Sequence, residues 1–245
     1  MSAARVSGKT TTLYAVISEI KTGLEKFVTI EDPVEYELAG VLQIPVNEKK
    51  GLTFSRGLRS ILRHDPDKIL VGEIRDAETA EIAVQAALTG HGVFTTIHAN
   101  NPFDVVGRFL HMAIDLFSFA SALNGIVSQR LVRRVCDHCG QPASFSDRFR
   151  RVADELRMEL STAMPRRGRG CEVCRYTGYK GRFAVAEVVV MDDVLRQMMI
   201  ERAALASMKS EIAQRGARNL RQAGAAAVLQ GMTTEEEFRR VVAAG

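Results

Sequence analysis

One stretch constrains this chain more than any other: Asp65 to Asn101, DPDKILVGEIRDAETAEIAVQAALTGHGVFTTIHANN. Lys68 to Gly72 is a short apolar run bounded by turn residues, the pattern of a buried parallel strand. Asp76 can cap a helix that stops at Gly90, and Val93 to Ile97 is a second apolar strand. The order predicts an α/β architecture with an open parallel sheet. In such sheets ligands sit beyond the carboxyl ends of the strands, where Glu73 and His98 both fall. An acid at that edge suits a metal–phosphate site.

The phosphate half of such a site belongs upstream. Ser7-Gly8-Lys9-Thr10-Thr11-Thr12-Leu13 reads as the end of a P-loop, in which the lysine reaches the β/γ-phosphates and a hydroxyl binds Mg²⁺. A helix follows, with Leu13, Val16, Ile17 and Ile20 on one face, and its N-terminal amides favour an anion. The motif also asks for glycine five residues before Gly8, and Ala3 stands there. No residues remain upstream to form the strand that feeds such a loop. A capped helix start is the plainer reading of GKT alone; the acidic strand end downstream favours nucleotide.

Phe27 to Ile30 is a β-prone run that Pro33 ends, leaving Glu31, Asp32 and Glu35 near one turn. They form either a solvated loop or a second acidic edge near a bound metal. Val41 to Val46 reads as a strand and Asn47 to Gly51 as a turn. Thr53 to His64 reads as a basic helix with Arg56, Arg59 and Arg63 about one turn apart. That arginine stripe is either solvated or aimed at polyphosphate. Asn101-Pro102 marks a helix start, with proline at the first helical position and Arg108 further along, and Ser118 to Val132 reads as helical. Ala184 to Val190 reads as a strand; from Asp193 on the chain is helical, broken at Gly216 and Gly231. Thr234-Glu235-Glu236-Glu237 is a capping-box pattern opening the last helix.

All four cysteines of the chain fall in Cys136-x-x-Cys139 and Cys171-x-x-Cys174. Paired thiols at this spacing suit a closed tetrahedral Zn²⁺ site of structural type, since four thiolates leave no position for water. Redox dithiols or unliganded cysteines are the alternatives. The gap between the pairs leaves room for a helical insertion at Asp147 to Leu160, and His138 is not expected to be a ligand. A net charge of +4 over 245 residues is too mild to argue for nucleic acid. The basic clusters Arg130 to Arg134 and Arg166 to Arg169 are solvated faces, or meet lipid headgroups or an acidic partner. A zinc-ribbon nucleic-acid binder would need interleaved aromatics, and tryptophan is absent. No apolar run reaches the roughly 18 residues a membrane span needs, and no signal-peptide core opens the chain, so the cytosol is the expected location.

In this order the motifs resemble the secretion ATPases that drive type II secretion and type IV pilus assembly, relatives of RecA-like hexameric motors. SGKTTTLYA resembles the end of the family's Walker A motif, VTIEDPVEY its Asp box, ILVGEIRD its Walker B box and TGHGVFTTIHANN its His box. CDHC and CEVC followed by GYKGR resemble the tetracysteine zinc module of assembly and secretion members, and LQGMTTEEEFRRV the family's C-terminal helix. The resemblance implies an α/β, RecA-like P-loop NTPase core over 1–130, a zinc-binding module over 131–185 and a C-terminal helical region over 186–245. It implies ATP, Mg²⁺ and Zn²⁺ as ligands. Ser7, Gly8, Lys9, Thr10 and Thr11 would cradle the nucleotide, with Lys9 on the β/γ-phosphates and Thr10 on Mg²⁺. Glu73 would orient or activate the attacking water, Glu35 would assist near the metal, and His98 would sense the γ-phosphate. Arg59, Arg63, Arg75 and Arg108 match arginines placed around the nucleotide or at subunit contacts, and Cys136, Cys139, Cys171 and Cys174 would bind zinc.

The implied partners are five further copies in a homo-hexamer and the inner-membrane secretion or pilus platform, placing a cytoplasmic protein at that membrane's periphery. The family has glycine where this chain has Ala3 and Val6, and its members carry N-terminal domains that this sequence lacks. The expectation is therefore a C-terminal motor portion with weak or absent ATPase activity and an exposed sheet edge. A catalytically impaired assembly module is the alternative function.

Overall fold

The computed structural model describes residues 8–99 and 101–242. Ser7, Ala3 and Val6 lie outside the described residues. The chain packs as two compact units, one of 9–126 with 190–209, the other chiefly of 127–189 with 210 onward.

The first unit is built on a parallel sheet. Helix α1 (Lys9–Ile20) leads into β1 (Phe27–Glu31), followed by β2 (Leu42–Pro45), α2 (Phe54–Leu62), β3 (Lys68–Val71), α3 (Ala77–Leu88) and β4 (Gly92–Thr95). The strand order is β2-β1-β3-β4 and every pairing is parallel. Val28 stands opposite both Leu42 and Ile69, and Ile69 opposite Val93. All five residues of β1 are buried, as expected of a strand flanked on both sides. Ile17, Phe27 and Leu70 form one core cluster beneath α1, with Leu13, Ile20, Leu38, Val41 and Phe94 packed against it. Each fully buried side chain of this kind stabilises the fold by roughly 1.5–3 kcal/mol. Asp76 caps α3, its carboxylate accepting from the Thr79 amide at 2.8 Å, and Thr53 caps α2 by accepting from the Arg56 amide. Helices α4 (Asp104–His111) and α5 (Leu116–Ala122) follow, with Phe109 stacked on Phe119 at 4.1 Å.

The second unit pairs the long strand β5 (Gly125–Val135) with a later strand and adds a small ribbon, β6 (Gly140–Pro142) antiparallel to its own partner. Helix α6 (Asp147–Glu155), capped by Ser146, precedes that partner, β7 (Arg166–Gly168), and the chain then enters β8 (Tyr179–Val190), the mate of β5. Helix α7 (Asp193–Ile200) and the start of α8 (Leu205–Gln214) belong to the first unit, and α9 (Leu220–Leu229) and α10 (Glu235–Val241) complete the second. Val132, Phe149, Val185, Ala225, Val228, Phe238 and Val242 make the core of this unit.

Three local expectations are corrected. Ser118 to Val132 is not one helix: α5 stops at Ala122, and β5 begins at Gly125. Asn124-Gly125 breaks the helix, and the β-branched Ile126, Val127, Val132 and Val135 that follow are taken up by pairing with β8. Helix α4 begins at Asp104 rather than at Pro102, because the Asn101 side chain accepts from the Phe103 and Asp104 amides and holds a turn there. Thr234 does cap α10, but Glu237 does not close a box on it; its carboxylate is drawn to Arg133 and Arg240.

Candidate functional site

The carboxyl edge of the sheet gathers one group of side chains. Gly8, at φ +72°, turns the chain into α1, so Lys9, Thr10 and Thr11 occupy the first turn of that helix. Glu73 follows β3. One carboxylate oxygen accepts from the Arg75 guanidinium and the other lies 3.4 Å from His98 Nε2. Arg75 also stands 3.9 Å from Asp32, just past β1. His98 is delivered by the continuation of β4: the Ile74 amide donates to the Thr96 carbonyl at 3.0 Å, and the Thr96 hydroxyl to the Gly72 carbonyl at 2.8 Å. The ends of β1, β3 and β4 thus converge on Glu73.

Gly72 allows the approach. Its amide donates to the Ile30 carbonyl at 2.8 Å, and a Cβ there would lie 3.3 Å from both that oxygen and Glu31 Cα. Any side chain would push β1 and β3 apart between the two acids. Burial raises the affinity of the Glu73 carboxyl for its proton, but the hydrogen bond and charge of Arg75, with His98 and Lys9 adding theirs, outweigh it and hold the group below the ordinary carboxylate range. Glu73 is therefore an ionised acceptor at neutral pH, its side chain only 16% exposed while Arg75 and His98 stay open to solvent.

The other expected residues lie elsewhere in this unit. Glu35 is exposed on the loop after β1, and Arg108 is exposed on α4. Arg59 pairs with Glu78 at 3.0 Å, and with Arg63 it lines a groove of 400 Å³ between α2 and α3. The three turn carboxylates separate in kind: Asp32 and Glu35 face solvent, whereas Glu31 is 2% exposed. Glu31 accepts from the Tyr14 hydroxyl on one oxygen, and from the Thr29 hydroxyl (2.5 Å) and the Gln43 amide (3.3 Å) on the other. Tyr14, Thr29 and Gln43 were not singled out from sequence. The Thr29–Glu31 alternation, which puts both on one strand face, was the available signal.

In the second unit the four cysteines converge, all four sulfurs within 4.8 Å of one another. Cys136 and Cys171 sulfurs are 4.0 Å apart, Cys139 and Cys174 3.8 Å, and Cys171 and Cys174 3.7 Å. The edge of a tetrahedron with zinc–sulfur bonds of about 2.3 Å is about 3.8 Å, so the thiols are spaced for a four-coordinate metal. The Cys171 and Gly178 amides both point at the Cys174 sulfur, at 3.2 and 3.3 Å. Burial acts against the Cys174 thiolate, but those donors bring its pKa down to about 6, while burial pushes the Cys139 thiol up to about 11. His138 is exposed and outside this set.

A helix start, an acid, an arginine and a histidine gathered at the carboxyl edge of a parallel sheet define an α/β protein of the kind that places its ligands at that edge. The chain belongs to the type II/IV secretion system protein family, whose pattern matches residues 2–240. It is 44% identical over 231 residues to the type IV pilus assembly ATPase PilB of Thermus thermophilus, a match covering 94% of this chain and 26% of that protein. It is 43% identical over 235 residues to the type II secretion system protein E of Dickeya dadantii, covering 96% of this chain and 46% of that one. The chain thus spans less than half the length of these relatives. Among solved structures, the pilus retraction motor PilT with bound ADP superposes with a TM-score of 0.70 at 28% identity, over 96% of this chain and 58% of that one. The ATPase DotB of Legionella pneumophila shares the fold, with a TM-score of 0.70 at 23% identity over 99% of this chain and 59% of its own.

Proposed function

We propose that this chain is the motor ATPase region of a type II secretion or type IV pilus assembly system, coupling ATP hydrolysis to the assembly of pilus-like subunits. The observation that carries the reading is the convergence of Glu73, Arg75 and His98 with Asp32, within the electrostatic reach of Lys9. It is supported by the family match and by the ADP named for PilT. Lys9 binds the β/γ-phosphates, with the first-turn amides of α1 completing the cradle that Ser7, Gly8 and Thr11 share. The hard oxygen donors present, the Thr10 hydroxyl and the carboxylates of Asp32, Glu35 and Glu73, fit Mg²⁺, which when bound neutralises phosphate charge. Glu73, kept ionised, accepts a hydrogen bond from the attacking water and orients it. His98 and Arg75 face the transferred phosphoryl group, and Arg59, Arg63 and Arg108 serve at the nucleotide or at contacts between copies.

In this reading 1–130 is the ATPase core, 131–185 a module whose four thiols hold a structural Zn²⁺, and 186–245 a helical region. The partners are a homo-hexamer of the chain and the platform proteins of an inner membrane, at whose cytoplasmic face it works. No helix among the described residues is long and apolar enough to cross a membrane, in keeping with attachment through partners.

Glu73→Gln is the deciding variant. Mg²⁺-dependent ATP turnover is expected to fall at least about 100-fold, with binding of a non-hydrolysable ATP analogue retained. Unchanged turnover would remove Glu73 from the mechanism. A second reading, an interaction module with impaired hydrolysis, is favoured by Ala3 and Val6 standing where the family motif has glycine. It predicts analogue binding without turnover in the unmutated chain.

A further inference from the structure

We infer that Tyr14, Glu31 and Gln43 form a buried positioning device that fixes the start of α1 against the acidic turn 31–35, and so sets the Mg²⁺-dependent part of nucleotide binding. The inference rests on the nucleotide-site reading above and extends it to residues that do not touch the ligand.

The geometry ties three elements and one loop to a single point. Tyr14 is completely buried and lies one turn along α1 from Thr10, on the same helix face. Its hydroxyl donates to Glu31, the last residue of β1 and the immediate neighbour of Asp32. Gln43, on β2, donates to Glu31 at 3.3 Å, to the Tyr14 oxygen at 3.2 Å and to the Tyr36 carbonyl at 3.2 Å, while its own carbonyl accepts from the Leu38 amide at 2.6 Å. The Tyr36 ring meets the Tyr14 ring edge-on, centroids 4.7 Å apart. The loop that carries Asp32 and Glu35 is thus pinned at its entry by Glu31, inside by Tyr36 and Leu38, and at its exit by Gln43. Each pin leads back to Tyr14.

The chemistry says why a carboxylate is kept there. Among the described residues Glu31 has no ion pair; its donors are the neutral Tyr14, Thr29 and Gln43. A buried acid reached only by neutral donors is a poor source of stability compared with an apolar group of the same size, whereas fixing one arrangement is the best-attested use of such a group. Burial, followed by the adjoining carboxylate, raises the Tyr14 phenol above its ordinary range, so it remains a donor at every working pH. Both carboxylate oxygens are occupied from inside. Glu31 therefore turns its back on the ligand edge and acts through Asp32 and Glu35. Cations that bind with phosphate between α1 and that turn depend on the separation between the two, which Tyr14 sets.

The test uses the full chain and a non-hydrolysable ATP analogue, titrated with and without Mg²⁺. Tyr14→Phe keeps the buried ring and its contact with Tyr36 and removes one hydroxyl. Its metal-free affinity is expected to stay within about twofold of the unmutated chain, while the gain in affinity on adding Mg²⁺ falls at least about fivefold, the lower end of ordinary coupling between two sites. A Tyr14→Phe chain with a lower Tm and an unchanged Mg²⁺ gain would overturn the inference, leaving the network a matter of stability alone. Lys9→Ala separates the two levels of the argument. If it binds the analogue as the unmutated chain does, or if neither binds, the nucleotide reading fails and the positioning role falls with it. Should Tyr14→Phe prove incompletely folded, Gln43→Met, at a half-buried strand position, decides by the same Mg²⁺ comparison.

Discussion

The two acids with almost no exposed surface, Glu31 and Glu237, are held by opposite means. Glu31 has neutral donors, whereas Glu237 is enclosed by cations: Arg133 reaches it at 2.9 Å through both its backbone amide and Nε, and Arg240 at 2.7 Å through Nη2. The Arg133 guanidinium carbon sits over the Tyr179 ring, 4.0 Å from its centroid, and the Tyr179 hydroxyl lies 2.6 Å from the hydroxyl of Thr234, which caps the helix of Glu237. Burial resists the charge on Glu237, but the two guanidiniums and the amide bring its pKa down to about 2 from an ordinary 4.5. The folded-state value being the lower one, its stabilisation is complete above about pH 4.5 and drains away as pH falls toward 2. Glu237→Ala is expected to cost about 2 kcal/mol at neutral pH, less than the about 3–5 kcal/mol of a fully enclosed pair because both arginines keep solvent contact. Denaturant titrations down through the acid range should show the variant losing less stability with pH than the parent. Parallel pH curves would separate Glu237 from the acid response.

Elements were legible where their signals are local. The strand, cap, helix and strand of 65–101 come out where apolar runs and Asp76 put them, and with them the approach of Glu73 to His98. The same logic misreads β5, whose partner β8 begins more than forty residues further along the chain, and passes over the bond between Tyr14 and Glu31, which spans 17 positions. Side-chain choice at α10 fails for a related reason: Glu237 has a local partner at Thr234, but Arg133, 104 residues upstream, outbids it. The pairing of α9 with α10 carries its own prediction. The run Gly224-Ala225-Ala226-Ala227 is buried, and a Cβ at Gly224 would sit 3.0 Å from Phe238 and 3.1 Å from Val242. Gly224→Leu should therefore destabilise by about 1–3 kcal/mol through overpacking, although leucine is the better helix former by roughly 1 kcal/mol. The check is a lower denaturant midpoint at unchanged slope; a raised midpoint would mean that α10 can move aside.

At the scale of the whole molecule the two units depend on different things. The sheet unit is held by an apolar interior, and the other adds a cluster of four thiols to its core. With zinc on those thiols, chelation should release one metal ion per chain and lower the thermal transition of the second unit by at least about 10 °C, leaving that of the sheet unit in place. Metal analysis with calorimetry of the full chain reads both. A transition that chelators and Cys136→Ser leave unmoved would take zinc out of the account.

Neither unit is a continuous stretch, because 190–209 rejoins the sheet unit after 127–189 has built most of its neighbour. On a ribosome the sheet unit cannot finish until residue 209 has emerged, by which time β8, the partner of β5, and all four cysteines are already outside the tunnel. Completion of the first unit and the gathering of the four thiols in the second thus overlap in time, and no single cut in the gene yields either unit whole.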